Sequence, residues 1–224
     1  MTKPSLRAFW LFVAGFFVVW TLRATVFYTF DKQLASPQWK YLYSNAMKFL
    51  LWVAPSIAFL YLRKQPKPFH FLGLLGKISR ENVLKAMGWI ALFFGMMIAI
   101  EYFVQGRSLY KLFEADGQKW YGVILFVAFS PLFEEILFRG LILNQLREAT
   151  SFWKANLITS VLFVLIHWPY WIWHNGFSTS TAVTSASLFI VSLFFGYLVK
   201  VTNSIWPSTI AHIINNVLAS FFSR

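Results

Sequence analysis

Seven apolar runs, each about as long as a bilayer is thick, take up most of this chain: Ala8–Tyr28, Tyr41–Leu62, Asn82–Val104, Lys119–Arg147, Ala155–Trp173, Ala182–Val199 and Ile205–Phe222. A helix rises about 1.5 Å per residue, so about 20 mostly apolar residues cross the hydrocarbon core. The expected fold is an all-α polytopic membrane protein of about seven to eight transmembrane helices around a polar intramembrane cavity. Seven such runs leave little of the 224 residues for anything else, so residues 1–224 read as one membrane domain. Only 12% of residues are charged, about half the share in a soluble domain.

The linkers are short and basic. Arg63–Arg80 is the main one, with Ser79 placed to cap the third span. Arg23 and Lys48 intrude on the first two spans, toward their ends, and are expected to snorkel to the headgroups. The fourth run is longer than one crossing needs, which implies a tilt or a break near Ser130-Pro131. With the N-terminus in the cytoplasm, Lys3, Arg7, Arg63, Lys64, Lys67, Lys77, Arg80, Lys85, Arg147, Lys154 and Lys200 fall inside. Arg23, Lys32, Lys40, Arg107, Lys111, Lys119 and Arg224 fall outside. That bias favours a cytoplasmic N-terminus in a cell-membrane protein. Anionic headgroups and orientation account for the net charge of +12, so membrane lipids and not nucleic acid are the expected partners. The first run lacks a cleavage site and reads as a retained helix. Trp168–Trp173 reads as an aromatic belt at the outer interface.

Two carboxylates break the apolar pattern. The chain has eight acidic residues in all. Glu134 and Glu135 stand side by side directly after the uncharged run Gly122–Phe133. A charge at the centre of a membrane helix costs about 3 kcal/mol on insertion scales, so the pair needs partners or a task. Two later runs share the anomaly, with His167 in the fifth and His212, Asn215 and Asn216 in the seventh. At about 1.5 Å per residue, Glu134 lies about 21 Å from Glu148, His167 about 20 Å from Lys154 and His212 about 18 Å from Lys200. Those three reference residues share one membrane face, so straight helices bring the three groups to one level.

Helical spacing sorts them further. Residues four apart share a face. Glu135 and Arg139 form such a pair and can neutralise each other. Glu134, turned by about 100°, is free to face another neighbour. His212 and Asn216 share a face, and Phe163 sets a ring beside His167. A carboxylate and an imidazole in a partly dry site can act as a general base on water. His212 and Asn216 can donate to the oxyanion that follows. The same residues also suit a polar network that glues helices together, or a proton relay in a small transporter.

Other hydrolytic schemes lack their residues. The chain has no cysteine, which removes disulfides, thiolate metal sites and cysteine nucleophiles. No histidine is followed by glutamate, so there is no His-Glu-x-x-His helix. The only aspartates, Asp31 and Asp116, lie in linkers, and no Gly-x-Ser-x-Gly elbow occurs.

Glu134-Glu135-x-x-x-Arg139, Phe163-x-x-x-His167 and His212-x-x-x-Asn216, in this order on separate spans, resemble the motifs of the CPBP family. These are the type II CAAX prenyl endopeptidases and their bacterial bacteriocin-processing and immunity relatives. The resemblance covers about Phe126–Ala219, and the motif-bearing helices span residues 119–222. It implies a helical fold around a conical cavity and an intramembrane endopeptidase. Glu134 and His167 would activate water, and His212 and Asn216 would hold the oxyanion. Glu135, Arg139 and Phe163 would support them. It also implies a membrane-associated peptide or protein substrate, which the family allows to be prenylated. The alternative is a non-catalytic immunity or scaffold protein of the same fold. No cofactor is expected. Zinc on Glu134, His167 and His212 is the less favoured option, because it leaves Asn216 without a task. His70 and His174 are given no catalytic role.

Overall fold

The computed structural model describes residues 6–34, 36–104 and 129–221. The first ten residues of the fourth apolar run, the linker that carries Asp116, Arg107 and Lys111, and both chain ends lie outside them. Among the described residues every regular element is helical. Helix α1 is Arg7–Thr25, α2 Tyr28–Gln33, α3 Pro37–Lys48, α4 Ala54–Leu62, α5 Pro68–Phe71 and α6 Arg80–Ala99. Past residue 128 come α7 Ser130–Glu135, α8 Asn144–Ala149, α9 Phe152–Leu165, α10 Trp168–Asn175, α11 Thr179–Thr202 and α12 Trp206–Phe221. Three joints are π-helical: Phe49–Val53 links α3 to α4, Ile100–Val104 extends α6, and Ile136–Leu143 links α7 to α8.

Five stretches among the described residues are long and apolar enough to span: Arg7–Thr25, Trp39–Leu62, Arg80–Phe103, Phe152–His174 and Thr179–Thr202. They match the first, second, third, fifth and sixth runs. The described part of the seventh run, α12, has 16 residues. The outward faces suit lipid. Only 11% of the apolar window of Arg80–Phe103 is buried, and Leu11, Val18, Met87, Met96 and Val183 stand exposed.

Local chemistry sets the element ends. Ser79 caps α6 as expected, its hydroxyl accepting from the Asn82 amide at 3.2 Å, and Ser178 caps α11 in the same way through Thr181. Pro131 sits in the first turn of α7, so the break expected near Ser130-Pro131 falls at the edge of the described residues. Asn203 ends α11 in the left-handed conformation, φ 51°.

The Arg63–Arg80 linker is docked against the helices. The Ser204 hydroxyl donates to Gly73 O at 3.1 Å, the Ile205 amide donates to the same oxygen at 3.1 Å, and Trp206 Nε1 donates to Leu74 O. Gly73 has φ +70°, where a side chain is strained, and Ile205 packs directly above it. Asn144 Nδ2 donates to Phe71 O at 2.7 Å, tying the linker to α8.

Two apolar clusters hold the bundle. The larger joins Phe9, Val13 and Phe16 of α1 and Trp52 to Leu137, Phe138 and Leu141 of the π-helical joint and Phe163 of α9. The smaller joins Phe94 of α6 to Val191, Phe195 and Leu198 of α11 and Ala211 of α12. The polar side chains described next lie where these clusters meet.

Candidate active site

Glu134 and Glu135 end α7, and both are buried, at 5% and 0% exposure. Burying two neighbouring carboxylates is tolerable only with counter-charges at hand. Each glutamate has one. Glu135 Oε1 lies 3.1 Å from Arg139 Nη1, the i,i+4 contact expected from spacing. Arg139 Nη2 donates to the Ser192 hydroxyl at 2.8 Å and to Ser192 O at 3.1 Å. The guanidinium lies over the rings of Phe163 and Phe195, at 4.4 and 5.3 Å from their centroids, where aromatic faces attract a cation.

The second counter-charge corrects an expectation. Lys48 does not snorkel to a headgroup. Its ammonium lies 2.5 Å from Glu134 Oε1, with side-chain exposures of only 13% and 7% for the pair. It also donates to the Ser130 hydroxyl, which in turn donates to Glu134 Oε1 at 3.1 Å. Lys48 is the tenth residue of the Trp39–Leu62 span, about 14 Å along it, too deep to be a headgroup contact. Arg23 is buried as well, its guanidinium 5.3 Å from the centre of the Tyr43 ring.

His167 owes its position to a proline. Pro169 has no amide to bond Leu165 O, and its ring clashes with that carbonyl. Helix α9 ends at Leu165, and α10 starts at Trp168. In the break, the His167 amide bonds Val164 O at 3.0 Å, while the imidazole Nδ1 lies 2.7 Å from Phe163 O. A carbonyl can only accept, so Nδ1 carries the proton and Nε2 of the neutral ring is an acceptor. That Nε2 lies 4.0 Å from Glu134 Oε2. Phe163 and Trp171 hold the ring, with centroids 5.1 and 5.3 Å away.

His212, on α12, meets both glutamates. Its Nδ1 is 3.0 Å from Glu135 Oε1, and its Nε2 is 3.7 Å from Glu134 Oε2. Glu135 is therefore shared between Arg139 and His212, a contact that spacing within single helices did not indicate. The depth of His212 was also overestimated. Asn203–Ile205 is a turn, so counting from Lys200 as though it were helix adds length that the chain does not have. Phe195 and Phe163 pack on the ring, 4.9 and 5.8 Å away. Asn216 lies one turn beyond His212 on α12, and its amide oxygen accepts from Asn215 Nδ2 at 3.4 Å.

The structure thus brings Glu134, Glu135, Arg139, Phe163, His167 and His212 into one connected group, and adds Lys48, Ser130, Ser192 and Phe195. Among the described residues no group of three or more His, Asp or Glu side chains is placed to hold a metal ion. A cavity of about 340 Å³ abuts the group. Its wall includes Lys48 and His167, with Trp20, Tyr28, Trp52, Tyr170 and Trp171. The aromatic stretch read as an outer belt is thus divided, with Tyr170 and Trp171 facing this cavity and Trp173 exposed. His174 is exposed against Tyr28 and Tyr170, and His70 lines a separate cavity with Arg147 and Glu148.

The chain resembles known membrane peptidases in sequence. The family model described as "Type II CAAX prenyl endopeptidase Rce1-like" matches residues 116–218. The protein named "Putative membrane peptidase YdiL", from Bacillus subtilis (strain 168), is 28% identical over 167 residues. That match covers 71% of this chain and 64% of the relative. No solved structure matches.

Proposed function

We propose that the chain, whose residues 116–218 match the model of the Rce1-like type II CAAX prenyl endopeptidases, is an intramembrane endopeptidase using water activated by Glu134 and His167. The observation that carries the reading is the convergence of three helices on Glu134 Oε2, with the Nε2 atoms of His167 and His212 at 4.0 and 3.7 Å. Two acceptors this far apart can share one water, each at hydrogen-bond distance.

The steps follow from the placement of these side chains. Glu134 takes a proton from the water as its oxygen attacks the scissile carbonyl carbon. The carbonyl π pair moves to oxygen, and the oxyanion is met by the Asn216 amide and by Nε2–H of His212. His212 donates from Nε2 only as the doubly protonated ring, because its Nδ1–H faces Glu135. Lys48 and Arg139 offset Glu134 and Glu135 before the attack, and because the proton passes to Glu134 as the oxyanion forms, the negative charge moves from the carboxylate to the oxyanion with the total unchanged. The tetrahedral intermediate then collapses, the C–N bond breaks, and Glu134 returns its proton to the leaving amine. The cycle uses water, side chains and the peptide, with no metal ion.

The substrate of this reading is a membrane-delivered peptide or protein, prenylated or bare, reached from the cell membrane with the N-terminus of the enzyme in the cytoplasm. The test is mass spectrometry of membranes carrying wild-type protein, Glu134→Ala or His167→Ala at equal abundance. Cleavage products confined to wild type are expected. The same products from either variant would leave the group as a packing network or scaffold.

A further inference from the structure

Glu134 has two oxygens, and the structure gives them different partners. Oε1 takes the Lys48 ammonium at 2.5 Å and the Ser130 hydroxyl at 3.1 Å. Oε2 faces the two imidazoles. A carboxylate on a flexible side chain rotates unless one edge is held. Here one edge is held by a buried cation that is itself fixed, since Lys48 Nζ also bonds Ser130 and lies 5.1 Å from the centre of the Trp52 ring. The lysine comes from the end of α3, immediately before the π-helical Phe49–Val53. The carboxylate comes from α7, immediately before the π-helical Ile136–Leu143. Lys48 also lies outside the segment matched by the family model, residues 116–218.

We propose that Lys48 is a positioning residue for the reaction: its ammonium pins one oxygen of Glu134 so that the other is presented to the water between the imidazoles. The proposal rests on the reading of Glu134 as general base. It makes the second span part of the working site and not only a wall around it. It also assigns Ser130 a task, as the hydroxyl that completes the cradle of Oε1.

The experiment uses full-length protein in lipid nanodiscs. The probe is a membrane peptide whose cleavage depends on Glu134, taken from the mass-spectrometric comparison and made with a fluorophore and quencher. A displacement of about 1 Å in a catalytic group can cost about a hundredfold in rate. Lys48→Met is therefore expected to lower kcat by about tenfold to a hundredfold with KM within about twofold. Lys48→Arg, which restores a cation at the same place, is expected to recover most of that loss. In Lys48→Ala, added ethylammonium should raise kcat saturably, entering through the adjoining cavity, and should do nothing for wild type. A wild-type kcat in Lys48→Met overturns the proposal. So does a loss that tracks unfolding and that neither arginine nor the amine reverses. Should Glu134→Ala keep wild-type cleavage, it is the general-base reading that fails. Should Glu134→Ala be inactive while Lys48→Met is fully active, only the positioning role fails.

Discussion

Each ionised side chain in this site is tolerable because of a named neighbour, and removing one neighbour is costly. Arg139 is fully buried beside Glu135, with Ser192 and two aromatic rings around it. Arg139→Met leaves Glu135 buried without its cation, which costs about 3–5 kcal/mol when a buried pair is broken. Unfolding of the detergent-solubilised variant measures that loss, and a change under about 1 kcal/mol would mean that His212 alone satisfies Glu135. The Glu135–Arg139 contact was legible from spacing, because both partners sit on one helix face. Lys48 was not legible that way, since its partner is 86 residues further along the chain. Charge balance within the spans was the signal that could have found it. Glu134 and Glu135 need two cations, Arg139 supplies one, and Lys48 lies at mid-depth in the second span.

At the level of elements, the site depends on interruptions to regular helix. Pro169 ends α9 and leaves His167 at a break, where Phe163 O takes the imidazole. The π-helical joint after Glu135 puts Gly140 against Leu72, with room for no side chain: an added Cβ would lie 2.9 Å from Leu72 O. Helices α9 and α11 close in the same way at Gly196, where a Cβ would lie 1.8 Å from Asn156 Oδ1. Asn156 is itself held by Leu193 O at 3.0 Å. Gly196→Ala is expected to destabilise by about 1–3 kcal/mol, the usual cost of overpacking. Asn156→Ala in the same chain should recover part of it, because neighbours couple. Additive losses in a thermal double-mutant cycle would show that the two sites do not share this contact. Hydropathy revealed five of the spans to within a few residues. It could not reveal the π-helical joints, because the apolar pattern continues through them while the backbone bonding changes.

Taken whole, the bundle divides its chemistry unevenly along the chain. The carboxylates and imidazoles come from α7, the α9–α10 break and α12, within the segment that matches the endopeptidase family model. The first spans contribute the lysine and much of the cavity wall. The sequence motifs pointed to the first set through their spacing, while the second set is defined only once the spans are packed. The central claim is that Glu134 moves the proton of a hydrolytic water. The measurement that bears on it most directly is steady-state cleavage of the mass-spectrometrically identified peptide by purified wild-type protein and Glu134→Gln, in nanodiscs with excess chelator. Glutamine keeps the shape and removes the base, so kcat is predicted to fall by about 10²–10⁴-fold, with wild-type turnover unchanged by the chelator. Turnover by Glu134→Gln at the wild-type rate, or wild-type activity that vanishes on chelation and returns with zinc, would contradict the account.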